Sequence, residues 1–414
     1  MAFPSAARPG ASTTADAPAR WRPETVALVG LCFAINMADG ADVTILSFIA
    51  PRLQSQWALG PSAMGQLFSA GLIGMAVGGM LIAPLADRIG RRVVILIALA
   101  LMSLGMVLSG LARGWGDLFV VRMVVGAGIG TVLAAMAALA AEVAPPHHRG
   151  FAVGLVQAGY PFAAVFTGLA AAALLPHHGW RVLLMAAGAL TVLLFPAACV
   201  LLPRGPGAGE RRSGGRVSML FARELRRRTL ALWLAVFAGL MVLYFVVSWI
   251  PRLAIAAGLS ETNGIYAGAL YNFGAFAGTV LLSVSATRLP LGKLVPAMMV
   301  GAAVALLVFG SVHFSIRVTL ALAFAIGVLL QGGYNGVWPL AAASYPEDIR
   351  ATGVGWAIGV GRGGAVIGPW LGGVMIAAHV SLPALFGAYC VPLLLCAVAA
   401  WLTEKNTDEL VTPN

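Results

Sequence analysis

The sequence predicts an all-α membrane protein: twelve transmembrane helices in two pseudo-symmetric six-helix bundles. Three observations carry that expectation: an apolar composition, twelve apolar runs long enough to cross a bilayer, and a basic connection at the midpoint between halves that echo each other. Hydrophobic residues fill 60% of the 414 positions, charged residues only 10%, and the mean hydropathy is +0.91. Soluble domains carry roughly 25% charged residues, so a soluble enzyme is excluded. The remaining charge is lopsided, 26 Lys+Arg against 15 Asp+Glu. On so apolar a chain this excess points to basic loops against anionic lipid headgroups and away from nucleic acid. Cys32, Cys199, Cys390 and Cys396 all sit in apolar runs, without CxxC or Cys/His ligand spacing. They read as small buried hydrophobes, and neither a disulfide framework nor a metal site is expected.

The elements follow in order. Residues 1–25 are polar, rich in Ala, Pro, Ser and Thr, and are expected to be a disordered cytoplasmic tail. A spanning helix needs roughly 20 apolar residues. In the first bundle (26–203) such runs lie near 26–48, 63–86, 93–112, 117–142, 150–174 and 180–202. In the second (229–403) they lie near 229–256, 263–287, 292–312, 316–343, 351–377 and 382–402, followed by a cytoplasmic tail at 404–414. The linker, 204–228, carries eight arginines and opens with Pro203, Gly205, Pro206 and Gly207. It reads as a flexible connection held to headgroups, with a short surface helix over 218–228. The halves repeat at nearly one offset: Arg149-Gly-Phe-Ala-Val-Gly154 aligns with Arg350-Ala-Thr-Gly-Val-Gly355, and Leu85-Ala-Asp-Arg88 with Ser285-Ala-Thr-Arg288. Such duplication is the architecture of parallel-repeat secondary transporters.

With both termini in the cytoplasm, 19 Lys/Arg fall on that side and five (Arg52, Arg113, Arg181, Arg252, Arg317) on the other. An odd number of spans would destroy this asymmetry. The expected location is therefore a multi-pass position in a bacterial inner membrane.

Four ionisable residues fall well inside spans: Asp39, Asp42, Arg122 and Arg362. Each costs roughly 2.5–3.5 kcal/mol at the bilayer centre even on a lenient scale, so each must pair or line a polar cavity. At about 1.5 Å per residue, Asp39 lies ~20 Å into span one and Arg362 ~18 Å into span eleven. Asp42 follows Asp39 by three positions on the same helix face, close to the level of Arg122. One reading makes an acid–Arg122 pair a structural bridge. The other makes Asp39 and Asp42 a proton-coupling site biased by Arg122, because adjacent carboxylates in low dielectric resist simultaneous ionisation. Arg362, among Gly359, Gly361, Gly363 and Gly364, has no acidic partner in its own half. Its planar fork suits a carboxylate. Arg122, Asn335, Tyr334 and Trp338 complete the expected substrate site, the last three offering stacking and a hydrogen bond to a ring. The six histidines, His147, His148, His177, His178, His313 and His379, fall in loops or near span ends and read as solvated.

The turn after span two, Asp87-Arg-Ile-Gly-Arg-Arg92, resembles the D-R-x-G-R-R core of the major facilitator superfamily. Two departures are Ala83, where the family has Gly, and Thr287, which replaces the Asp in the second copy. Asp39-Gly-Ala-Asp42 is similar to the D-G-x-D signature of the aromatic acid:proton symporters (4-hydroxybenzoate and benzoate transporter-like). Arg350-Ala-Thr-Gly-Val-Gly-Trp356 and Gly359-Val-Gly-Arg-Gly-Gly364 match further patterns of that group. The resemblance implies the major facilitator fold, benzoate- or hydroxybenzoate-like substrates, and no cofactor beyond protons as coupling ion. Asp87, Arg88, Gly90, Arg91 and Arg92, with Glu142 and Arg149, are expected to form a cytoplasmic gate that latches the bundles together.

The expected function is proton-coupled uptake of an aromatic carboxylate by alternating access, by a monomer. The alternatives are a proton antiporter exporting drugs or metabolites, or a symporter of another organic anion. Gly159-Tyr-Pro-Phe-Ala-Ala164 fits the exporters' span-five G-x-x-x-G-P-x-x-G-G poorly. An intramembrane enzyme would need a nucleophile with its base or clustered ligands within the spans, and the sequence offers neither.

Overall fold

The computed structural model describes residues 21–145, 148–203, 217–223, 225–311 and 315–411, and shows helices and no strand among them. Expectations for the first 20 residues, for 204–216 of the linker, for His147 and for His313 lie outside the described residues.

Twelve spans are present. They are α1 (Pro23–Trp57), α2 (Pro61–Leu85), α3 (Arg91–Leu111) and α4 (Trp115–Val143). A single helical stretch, Arg149–Leu201, then holds two spans, because Gly179 takes non-helical angles (φ 75°, ψ 173°) that divide α5 (149–178) from α6 (180–201). The second half comprises α7 (Arg226–Ala256), α8 (Glu261–Ser285), α9 (Leu291–Ser311), α10 (Ile316–Ala343), α11 (Glu347–Ala377) and α12 (Leu382–Val411). Glycine lowers the hydropathy of α11, yet its 31 residues are ample to cross.

Several boundaries differ from expectation. α1 begins at Pro23, inside the expected tail, because proline's fixed φ suits a first helical turn. It also runs nine residues past the expected end at 48, through Pro51. The expected surface helix at 218–228 is only a 3₁₀ turn at Val217–Phe221, after which α7 starts at Arg226. Arg228 is buried at that junction instead of lying on headgroups. The expected C-terminal tail continues α12 as helix to Val411. α2 loosens into a π-helical turn at Gly78–Ile82 and a 3₁₀ turn at Ala83–Leu85, where Pro84 cannot continue the hydrogen-bond ladder.

The same packing is used twice. α1 lies on α5, α2 on α4 and α3 on α6; in the second half α7 lies on α11, α8 on α10 and α9 on α12. α2 and α8 approach their partners through equivalent glycines. A Cβ on Gly78 would sit 2.0 Å from the Ala127 carbonyl oxygen, and one on Gly278 2.1 Å from that of Val328. The halves meet through α2 on α11, α5 on α8 and α1 on α7. Leu190, Leu193 and Val200 on α6 and Val391 on α12 stand wide open on the outside. A bilayer explains such a surface, whereas water would penalise it.

The halves are held together at the face away from the linker. There, Arg52 of α1 donates two hydrogen bonds to Glu261 of α8, at 2.7 and 3.0 Å, and a third to the Leu175 carbonyl. Arg252 of α7, its repeat equivalent, donates to Gln54 of α1 at 3.1 Å. Nearby, Ser69 of α2 donates to the Val366 carbonyl of α11. At the linker face Met80, Leu81, Phe151, Leu155 and Trp356 are exposed, and a Cβ added to Gly154, Gly355 or Gly359 would meet nothing within 4 Å. The helices part there.

Candidate functional site

The four midplane charges come from three helices. Asp39 and Asp42 lie on α1, Arg122 on α4 and Arg362 on α11. Asp42 and Arg122 form a buried, bidentate pair: Arg122 Nη1 donates to Asp42 Oδ1 at 2.5 Å and Nη2 to Oδ2 at 2.7 Å. Their side chains are 1% and 3% exposed; both Nη atoms go to Asp42, while Arg122 Nε has no partner among the described residues. In this state Arg122, expected at the substrate site, is engaged by Asp42. Fork-to-fork geometry and exclusion of water make this contact hard to give up.

Asp39 is the acid left over. It is buried, and its Oδ1 has no hydrogen-bond partner among the described residues. Its neighbours include Arg362 from the other half, Asp42 and Arg122. A small cavity between Ile35, Asn36, Met102, Ile129 and Met136 reaches Asp39 from inside the first half. It has room for about one water. The glycine between the two acids has a packing reason. A Cβ on Gly40 would lie 2.3 Å from the Tyr160 carbonyl oxygen and 2.8 Å from its Cα, so only glycine lets α1 and α5 touch at this level. Asn36, one turn away, donates across the same contact to the Val156 carbonyl.

Arg362 is only partly buried. Its Nη1 lies 3.8 Å from Met75 Sδ on α2, a weak acceptor for a guanidinium. Tyr244 and Tyr334 are also beside it. Tyr334 meets Trp338 edge-on, with ring centroids 5.6 Å apart. Asn335 is turned elsewhere: it donates to Thr279 of α8 at 2.8 Å and accepts from Gln331. One residue along a helix rotates a side chain by about 100°, which takes Asn335 off the stripe shared by Tyr334 and Trp338. It is thus a helix-packing residue in this state.

Tyr160, Tyr244 and Tyr271 are not among the site residues that the sequence singles out. The hydroxyls of Tyr160, Tyr271 and Tyr334 are buried without a hydrogen-bond partner among the described residues. The available signal was a phenol in the middle of an apolar run, where its hydroxyl must find a partner or cost free energy.

The turn after α2 behaves differently from expectation. Arg91 donates to both oxygens of Glu142 at 2.8 Å and to the Ala135 carbonyl. Arg92 caps the end of α6 through the Leu202 and Cys199 carbonyls. All these contacts stay within the first half, and Arg88 and Arg149 are exposed. The side chain of Asp87 lies outside the described residues. Gly90, at φ 91°, makes the turn that starts α3. Among the described residues, Arg91 and Arg92 brace their own half. Among the described residues no three His, Cys, Asp or Glu side chains converge as metal ligands.

Comparison with known proteins agrees with this architecture. Residues 32–358 match the Major Facilitator Superfamily. The chain is 30% identical over 401 residues to a gallate transporter of Pseudomonas putida, covering 89% of each. It is 32% identical over 389 residues to the 3-(3-hydroxy-phenyl)propionate transporter of Escherichia coli K12, covering 92% of this chain and 94% of that one. Its fold is shared with the inward-open xylose transporter XylE of E. coli, with a TM-score of 0.74 at 18% identity over 91% of this chain and 96% of that one. The chain belongs to the Major Facilitator Superfamily: it is a multi-pass membrane transport protein, not an enzyme, and these relatives carry aromatic acids.

Proposed function

We propose that the chain takes up aromatic carboxylates together with protons, by alternating access, in a bacterial inner membrane. The observation that carries this reading is a juxtaposition across the two halves. Arg362 is a partly buried cation beside Met75 Sδ and Tyr244, and its charge acts across the halves on Asp39, whose Oδ1 has no partner among the described residues. A carboxylate entering the midplane loses its hydration and needs a charged, hydrogen-bonding partner, and a guanidinium fork supplies both.

Coupling follows from the same pair. While the site is empty, Asp39 and Arg362 partly compensate each other's charge. A substrate carboxylate on Arg362 introduces a second anion beside Asp39, and two close anions in low dielectric repel. Taking a proton onto Asp39 removes that repulsion, so proton and anion enter together. Asp42 is held by Arg122 and serves as the fixed counterpart. This moves the coupling role expected of both acids toward Asp39.

The parted face carries the basic turns and the linker, so by the positive-inside rule it is cytoplasmic and this state faces inward. Reopening requires the Arg52–Glu261 and Arg252–Gln54 contacts to break. Binding at the junction gives the ligand different contacts in each state, which is the condition for shifting populations.

The test is transport by proteoliposomes with radiolabelled aromatic acids under an imposed pH gradient. Wild-type protein is expected to accumulate substrate only with an inward proton gradient. Asp39→Asn is expected to abolish accumulation while retaining exchange of internal for external substrate. Accumulation by Asp39→Asn with unchanged pH dependence would refute this coupling scheme.

A further inference from the structure

We infer that Met75 is a positioning residue for Arg362: its neutral thioether holds the guanidinium across the junction and yields it to an incoming carboxylate. This rests on the reading of Arg362 as the carboxylate anchor. It assigns what keeps that anchor aimed without neutralising it.

The contact stands at the inner end of a seam. α2 and α11 run antiparallel along the junction and touch at three levels. Nearest the face away from the linker, a Cβ on Gly373 would lie 2.5 Å from the Pro61 carbonyl oxygen and 3.1 Å from the Gly65 Cα. Further in, Ser69 donates to the Val366 carbonyl at 2.7 Å. Deepest of the three, Arg362 Nη1 lies 3.8 Å from Met75 Sδ. Past that level Met80 and Leu81 are exposed, and a Cβ on Gly359 or Gly355 would meet nothing within 4 Å. Met75 and Arg362 therefore meet where the halves begin to part.

Both side chains stand on backbone that their own halves hold closely. A Cβ on Gly130 of α4 would sit 2.0 Å from the Met75 carbonyl oxygen, and one on Gly364 of α11 2.0 Å from that of Phe237 on α7. Met75 is buried, so its sulfur is a fixed feature of the wall beside Arg362. The identity of that atom matters. A guanidinium only donates, and at this depth it needs an acceptor. A carboxylate at position 75 would form with Arg362 the kind of bidentate pair that Asp42 forms with Arg122, and a substrate would have to displace it. A thioether accepts weakly and carries no charge. It narrows the guanidinium's rotamers, so less ordering is left for binding to supply, and it leaves the positive charge for the anion.

A graded series at position 75 tests this. Leucine keeps the volume and removes the acceptor, whereas Gln and Glu strengthen the acceptor in two steps. Binding of benzoate, 4-hydroxybenzoate and gallate is to be measured by calorimetry on purified full-length wild type, Met75→Leu, Met75→Gln, Met75→Glu and Arg362→Ala, with thermal unfolding of each. Met75→Leu is expected to weaken the best-bound acid about 2- to 10-fold. Met75→Gln should weaken it about 10- to 100-fold, and Met75→Glu by more than about 100-fold. Met75→Glu should lose the acids while keeping the wild-type unfolding temperature, because Arg362 pairs the new charge; a packing defect would lower both. If Met75→Glu fails to fold, the Gln and Leu variants decide: weaker binding by Met75→Gln supports the role, and equal or tighter binding overturns it. Wild-type affinity throughout the series also overturns it. Should Arg362→Ala still lose the acids in that case, the anchor reading stands without Met75. Normal binding by Arg362→Ala, or wild-type protein that binds none of the three, overturns both.

Discussion

The two halves share a fold and divide the charge unequally. At the midplane level the first half holds Asp39, Asp42 and Arg122, and the second holds Arg362. At the repeat offset of 200 to 201, Asp39 corresponds to Gly239, and Gly71, beside Arg122, corresponds to Tyr271. Gly239 is small for a reason: its Cβ would lie 2.7 Å from the Tyr334 ring. At the positions of the first half's acids and base the second half has Gly239, Val242 or Leu243, and Leu322 or Ala323. The first half thus carries a neutral internal pair plus one spare anion, and the second one spare cation among phenols. The duplicated packing supplies a scaffold, and its departures from symmetry supply the chemistry, with the two spare charges facing each other at the junction.

The largest expected effect comes from removing the midplane cation of the second half. Arg362→Ala should weaken aromatic-acid binding by roughly 30-fold to several thousand-fold, corresponding to about 2–5 kcal/mol. Arg362→Lys should remain strongly impaired, because an ammonium lacks the planar fork. Calorimetry checks both, and near-normal affinity in the two variants would erase the proposed division of labour.

The pair in the first half should respond as structure instead. Arg122→Ala leaves Asp42 buried and unpaired, and is expected to destabilise the protein by about 3–5 kcal/mol. Combining it with Asp42→Asn should recover part of that loss. Thermal unfolding in detergent measures the comparison. A double variant no better than the single would mean that Asp42 carries no charge penalty at that position.

A smaller effect is expected at the face where the halves touch. Arg52 and Glu261 are 30% and 35% exposed, and such a pair contributes about 0–1 kcal/mol. Glu261→Gln should therefore shift the balance between inward- and outward-facing states by no more than about 5-fold. Paired spin labels on α1 and α8 at that face would report it as a larger fraction of long distances. An unchanged distribution would show that packing closes this face without the ion pair.

Much of this organisation was legible in the sequence. Spans announce themselves because the bilayer demands long apolar helices. Asp39, Asp42, Arg122 and Arg362 stood out because charge in hydrocarbon is expensive wherever it occurs. Helical spacing also set which neighbours share a stripe, as with Tyr334 and Trp338. What spacing cannot encode is the rotation and approach of one helix relative to another. Only the tertiary structure decided that Arg122 takes Asp42 and leaves Asp39 spare, that Asn335 turns to Thr279, and that Arg91 and Arg92 bond within their own half. The same holds for the hydroxyls of Tyr160 and Tyr271, on α5 and α8, which end up buried without a partner among the described residues. Local sequence fixes each residue's depth and face through backbone geometry, whereas partner choice depends on contacts between segments distant in the chain.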